Sequence, residues 1–259
     1  MPEANGNLVG FDTAAGPAAI VASLTRIKAA KQDFVVGYYG HGGKVMSPAA
    51  ARLLSDAGLD LVMVFEGNPT HAGYFTAAQG QADAELAVKQ AVALGQPFGT
   101  PICATVDYDA SNADIAGPIH LYMAAYSYTL RFCKYLPGVY GNGAVCAAML
   151  DASFASFAFV WGAHGTNDTL NFIASNRWHL MQSPTVSAAN NRLGFDDDPD
   201  IGKASGFGGF RVLPTIVTPS PAPVLVIPPA KAMQAALGVM ADGVWGPASA
   251  AALAAYYVR

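Results

Sequence analysis

Charge is scarce in this chain, and so is cysteine. Only 12% of the 259 residues are charged, with 14 Lys and Arg against 18 Asp and Glu and a net charge of -4. Without a basic face there is no footprint for a nucleic-acid partner. The three cysteines, Cys103, Cys133 and Cys146, are odd in number and lack metal-ligand spacing. They read as buried thiols. The five histidines are scattered and none sits in an H-E-x-x-H pattern, which argues against a zinc peptidase. No apolar run reaches membrane-spanning length without Gly, Pro or charge, so no membrane span is expected. The opening MPEANGNLVGFD has neither a basic n-region nor an apolar h-region, and shows no export signal. No G-x-G-x-x-G turn follows the first apolar segment, which weighs against an open dinucleotide-binding sheet.

What is present is apolar substance: 53% hydrophobic residues and a mean hydropathy of +0.30, enough for one large core. Short β-rich runs alternate with helical patterns. Residues 7–12 (NLVGFD), 33–39 (DFVVGYY), 60–66 (DLVMVFE) and 100–110 (TPICATVDYDA) read as the first four strands, with helical periodicity between them. Residues 137–141 (PGVYG), 157–162 (FAFVWG), 178–183 (WHLMQS) and a weaker stretch around 193–198 supply four more. Ser47 followed by Pro48 marks a helix start, as an N-cap before an N1 proline. Strands separated by helical connections imply parallel pairing, and eight of them in about two hundred residues predict an α/β fold of the (β/α)8 TIM-barrel type over residues 1–212.

The composition then changes. Residues 213–229 are Pro-rich and predict an extended linker. Residues 230–259 form a short Ala-rich helical unit around a DGVWGP turn. That is small for a core of its own, so it is expected to pack on the barrel or to be a shortened module.

In such a barrel the loops after the strands build the active face, so strand-end residues are the candidates. They are Asp12, Tyr39, Glu66, Asp107 with Asp109, Tyr140 with Asn142, Trp161 with His164, Gln182, and the acidic run that includes Asp196 and Asp198. Asp107 and Asp109, two positions apart, would share one face of a strand. Glycoside hydrolysis needs a protonated carboxyl for the leaving oxygen, a second group for the cationic sugar centre, and aromatic rings against sugar faces. The candidates supply all three. A strand-end Asp is as readily a helix cap as a catalyst. The acid pair with Asp12 or Glu66 could instead seat a hard cation, whereas FDDDPD lacks the central Gly and final Glu of a calcium loop. No cofactor and no metal are expected.

GFDT near the start, VDYD at the fourth strand, GVYG at the fifth, WHLMQ at the seventh and the acidic eighth resemble the DUF1906, or Rv2525c-like, glycoside-hydrolase-like family over about residues 7–211. That family is similar in turn to the GH25 lysozymes. The resemblance implies a muramidase-like hydrolase acting on peptidoglycan glycan strands at the cell wall, with a non-catalytic glycan-binding protein on the same scaffold as the alternative; a monomer is expected. It places Asp12 at the first-strand aspartate and Asp107 at the first acid of the D-x-E motif. Asp109 stands where that motif has its proton-donating glutamate, and Glu66 is the alternative acid. The tail resembles the second half of a type-1 peptidoglycan-binding domain through its D-G-x-[FWY]-G-P-x-[ST] turn, here Asp242 to Ser249 with Trp245 at the aromatic position.

Overall fold

The computed structural model describes residues 6–162, 165–183, 193–212, 229–244 and 246–257. Eight strands close into a barrel in sequence order: β1 (Leu8–Asp12), β2 (Phe34–Gly40), β3 (Asp60–Glu66), β4 (Pro101–Thr105), β5 (Leu136–Gly141), β6 (Phe157–Trp161), β7 (Leu180–Gln182) and β8 (Asp198–Gly202). The helices that follow or connect them are α1 (Pro17–Ala22), α2 (Leu24–Ala29), α3 (Pro48–Asp56), α4 (Ala77–Leu94), α5 (Asn112–Asp114), α6 (His120–Phe132), α7 (Gly143–Asp151) and α8 (Asn167–Ala174). The α/β barrel expected from the alternation is what forms.

Uniform parallel pairing is not. Strands β1 to β7 are parallel to their sequence neighbours, but β8 runs antiparallel to both β7 and β1. The predicted eighth strand around residues 193–198 is therefore corrected in two ways. The acidic run precedes the strand rather than ending it, and reversal brings the start of β8 to the mouth where the other strands finish. Asp198 then pairs with Asp12 and Gly202 with Leu8. A sequence pattern of period two reports a strand but carries no sign of its direction.

Strand β4 is also shorter than the run that announced it. It stops at Thr105, and the chain leaves the sheet as the Asp107 N–H donates to the Pro69 carbonyl at 3.0 Å. Asp107 and Asp109 consequently do not share a strand face.

Two apolar clusters hold the barrel. Phe34, Val36, Val62, Val64, Cys103, Phe157, Phe159 and Leu180 fill its interior. A larger set, including Phe11, Val35, Leu61, Met63, Phe65, Ile102 and Ala104, packs between sheet and helices. Local signals place the helices. Ser47 Oγ accepts from the Ala50 N–H ahead of Pro48, and Gly95, in the left-handed region at φ 84°, terminates α4. A π-helical segment, Ile115–Ile119, accommodates Pro118, which has no N–H to give, before α6 begins. Helices α4 and α6 meet at Gly80, where an added Cβ would lie 2.2 Å from the Tyr122 carbonyl oxygen. Beside that contact Asp83 accepts from Tyr74, Tyr122 and Gln79, three donors that satisfy a buried carboxylate.

The C-terminal residues form α9 (Ala230–Ala236) and α10 (Pro247–Tyr257), and α10 lies on α6. Met233, Ala250 and Leu253 are buried in the cluster that also holds the barrel helices. Of the predicted linker, residues 213–228 lie outside the described residues.

Candidate functional site

The mouth of the barrel opens on a cavity of about 400 Å³. Its acids are Asp12, Glu66, Asp107 and Asp198; its rings are Tyr38, Tyr140, Phe159 and Trp161; Lys44, Thr105 and Gln182 complete the polar lining. These side chains come from β1 to β7 and the start of β8, and from the loops after β2 and β4, which is how a barrel gathers distant sequence into one place.

Asp12 is the anchor. It closes β1, is 7% exposed, and accepts from Tyr38 Oη at 2.8 Å and Gln182 Nε2 at 3.0 Å. Gln182 Oε1 in turn accepts from Tyr140 Oη at 3.1 Å, so four residues from β1, β2, β5 and β7 form one continuous chain of hydrogen bonds. Burial pushes the Asp12 carboxyl up to about 7, with the nearby charges of Asp198 and Glu66 adding to it; the bonds from Tyr38 and Gln182 oppose the rise. Lys44, from the glycine-rich loop after β2, pairs with Glu66 at 2.5 Å and sits 4.4 Å from the centre of the Tyr38 ring. Gly40 lets this corner close: an added Cβ would lie 2.3 Å from the Glu66 carbonyl oxygen. Asp107 stands at the rim. Its carboxyl is raised by partial burial and by Glu66, against the pull of Lys44. Asp198 is raised by burial and by Asp196 and Asp197.

Asp12, Glu66, Asp107, Tyr140, Trp161, Gln182 and Asp198 are thus brought together. Other candidates fall elsewhere. Tyr39 points to the helix side of β2, is 1% exposed, and donates to Gln96 Oε1 at 2.7 Å; Tyr38 is the ring that faces the cavity. In a strand buried on both faces the choice between adjacent tyrosines has no signal in composition. Asp109 is exposed and does not line the cavity, because the chain has already left the sheet. Asn142 caps α7, its Oδ1 accepting from the Val145 N–H at 3.0 Å. Asp196 is exposed beyond the rim, and its backbone carbonyl accepts from the Thr13 hydroxyl. Asp242 holds its turn by accepting from the Val244 N–H and from Gln234 Nε2, each at 2.8 Å. His164 and Trp245 lie outside the described residues. Sequence reasoning missed Tyr38 and Lys44. For Lys44 a signal existed, a lone cation in a glycine-rich loop after a strand. Among the described residues no three His, Cys, Asp or Glu side chains are grouped to hold a metal ion, and no helix is long and apolar enough to cross a membrane.

Known proteins share this architecture. The structure of Rv2525c, a Tat-secreted protein of Mycobacterium tuberculosis, aligns in complex with L-tartrate at a TM-score of 0.62 and 20% identity, over 80% of this chain and 99% of that one. An uncharacterized protein of B. stearothermophilus aligns at 0.56 and 18% identity, over 78% of this chain and all of that one. The modular autolysin LytC of Streptococcus pneumoniae, solved with a synthetic peptidoglycan ligand, aligns at 0.53 and 11%, over 75% of this chain and 46% of that one. At these identities the likeness is one of fold. In sequence, the uncharacterized protein YbfG of Bacillus subtilis is 29% identical over 164 residues; these are 60% of this chain but 22% of that protein, so the chain spans a small part of its relative. The profile of the Rv2525c-like, glycoside hydrolase-like domain matches residues 25–194, short of α9 and α10, and by that match the chain belongs to this family.

Proposed function

We propose that the protein is a glycoside hydrolase of lysozyme-like chemistry, directed at the glycan strands of the bacterial cell wall. The observation that carries this reading is the convergence of Asp12, Glu66, Asp107 and Asp198 with Tyr38, Tyr140 and Trp161 on one open cavity. Rings of this kind stack on sugars, and carboxyls in unequal surroundings divide acid and anion roles between them. The fold shared with an autolysin that binds a peptidoglycan ligand, and with a Tat-secreted protein, supports action outside the cytoplasm on this polymer.

In the proposed mechanism Asp107 protonates the leaving oxygen. It is open to substrate, and partial burial with the nearby charge of Glu66 raises its carboxyl above the ordinary value, the direction a proton donor needs. Glu66, ion-paired with Lys44, sets a negative charge beside the cationic sugar centre. Asp12, with both oxygens engaged by Tyr38 and Gln182, is suited to orienting a polar substituent of the sugar rather than to delivering a proton. Asp109, outside the cavity, is given no part in the chemistry. Residues 1–212 carry the reaction in this scheme, and residues 230–259 add affinity for peptidoglycan.

Purified sacculi incubated with the protein test the proposal. New reducing ends are expected, and Asp107→Asn is expected to lower their rate by about 100-fold or more, the usual worth of a general acid. Asp109→Asn should change it little. A second reading, a non-catalytic glycan-binding protein, is favoured by one observation: the position of the D-x-E glutamate holds an aspartate that lies off the cavity. Binding to sacculi without release of reducing ends, unaffected by either substitution, would establish that reading and remove the first.

A further inference from the structure

Strand β8 carries a second acid that the proposed mechanism does not use. Asp200 lies two residues beyond Asp198 and so on the same inward face, opposite Gly10 of β1 and Gln182 of β7. It is 1% exposed, and among the described residues neither carboxyl oxygen has a hydrogen-bond partner. The groups around it are acidic or neutral: Asp12 from β1, Tyr38 from β2, Tyr140 from β5, Gln182 from β7 and Asp198 from its own strand. Lys44, the cation of the cavity lining, is committed to Glu66. The interior plug, with Phe34 and Leu180, fills the barrel. A charge in that position would have lost water and gained neither donor nor counter-ion. Burial, then Asp12 and Asp198, accordingly hold its carboxyl well above the usual range.

We infer that Asp200 is a protonated acid buried just beneath the floor of the site, which keeps a further negative charge out of the barrel mouth at neutral pH and weakens glycan binding when alkali removes its proton. The first half stands on the geometry alone, and the second rests on the glycan-directed reading proposed above. The phenols of Tyr38 and Tyr140 are themselves raised well above their ordinary value by burial.

Asp200→Asn keeps the shape and removes the titration. A carboxyl protonated in the folded state and ionised in the unfolded one stabilises below its ordinary value and loses that stabilisation as pH rises toward its folded value. The unfolding constant of the wild type, divided by that of Asp200→Asn, should therefore climb about tenfold per pH unit between about pH 5 and 7, read from urea titrations. The Asp12 titration, common to both proteins, cancels to first order. A ratio flat with pH overturns the inference. Should the variant not fold, the carboxyl-carbon resonance of Asp200 in the wild type decides: the protonated position at pH 7 supports it, and the ionised position overturns it. Co-sedimentation with purified sacculi at pH 7 and at alkaline pH tests the second half. Wild-type binding should fall several-fold and that of Asp200→Asn should hold; equal losses overturn this half. If neither protein binds at any pH, the glycan-directed reading and the second half fall together, while the stability ratio still decides the first.

Discussion

Replacing Tyr38 by Phe removes one hydroxyl and one hydrogen bond, the 2.8 Å bond to Asp12 Oδ1, from the centre of the site. The ring, its contact with Lys44 and the volume of β2 are kept. A hydrogen bond to a charged acceptor contributes about 1.5–3 kcal/mol. It favours the ionised carboxyl over the neutral one, and about 1.4 kcal/mol corresponds to one pH unit. Asp12, which titrates at about 7 with the bond in place, should move upward by about one to two pH units without it. The sign extends to stability. The folded value of Asp12 is raised above its ordinary 3.8, so its favourable contribution is complete in acid and is lost as pH climbs through the folded midpoint. In Tyr38→Phe that loss continues to higher pH, and the variant should be destabilised more at pH 9 than at pH 5. The assay is a carboxyl-carbon NMR titration of Asp12 in both proteins, paired with urea unfolding at the two pH values. A midpoint that stays put or moves down, or a destabilisation equal at both pH values, would refute the account of Asp12 as a buried acid held in check by Tyr38.

Lys44→Met removes the charge that opposes the rise of Asp107, so the Asp107 carboxyl should titrate higher; under the proposed mechanism the alkaline limb of sacculus hydrolysis should shift upward with it. A limb that moves downward would take the acid role from Asp107. Tyr39→Phe is expected to cost about 1–3 kcal/mol in urea unfolding, because Gln96 Oε1 loses its donor inside the protein, and to leave sacculus binding unchanged. A selective loss of binding at intact stability would return Tyr39 to the site.

The alternation of β-rich and helical stretches was enough to predict the closed barrel, and β3 falls at its expected bounds. Strand direction was not legible, because nothing in the five residues of β8, DPDIG, separates a reversed strand from a parallel one; its acids were found, and their side of the strand was mistaken. The site followed the same division. Asp12 and Glu66 end their strands and so could be read as mouth residues, whereas Tyr38 and Tyr39 lie on a strand buried on both faces and carry no pattern that separates them. Asp109 was misplaced for a different reason. The spacing of two has meaning only while the chain stays in the sheet, and the bond from the Asp107 N–H to Pro69 marks where it has left. Lys44 belongs to a loop, where periodicity is silent and only the composition of the turn gives a hint.

Because β8 returns against β1, Leu8 and Gly202 face each other as paired residues, and the barrel's first and last strands begin and end about 5 Å apart on the side away from the cavity. Past Gly202 the chain crosses this underside to β3, where Phe210 bridges Leu61 and Arg211 pairs with Asp60. Both ends of the barrel's chain therefore lie on the face opposite the site, and the polypeptide enters and leaves the domain without crossing its mouth.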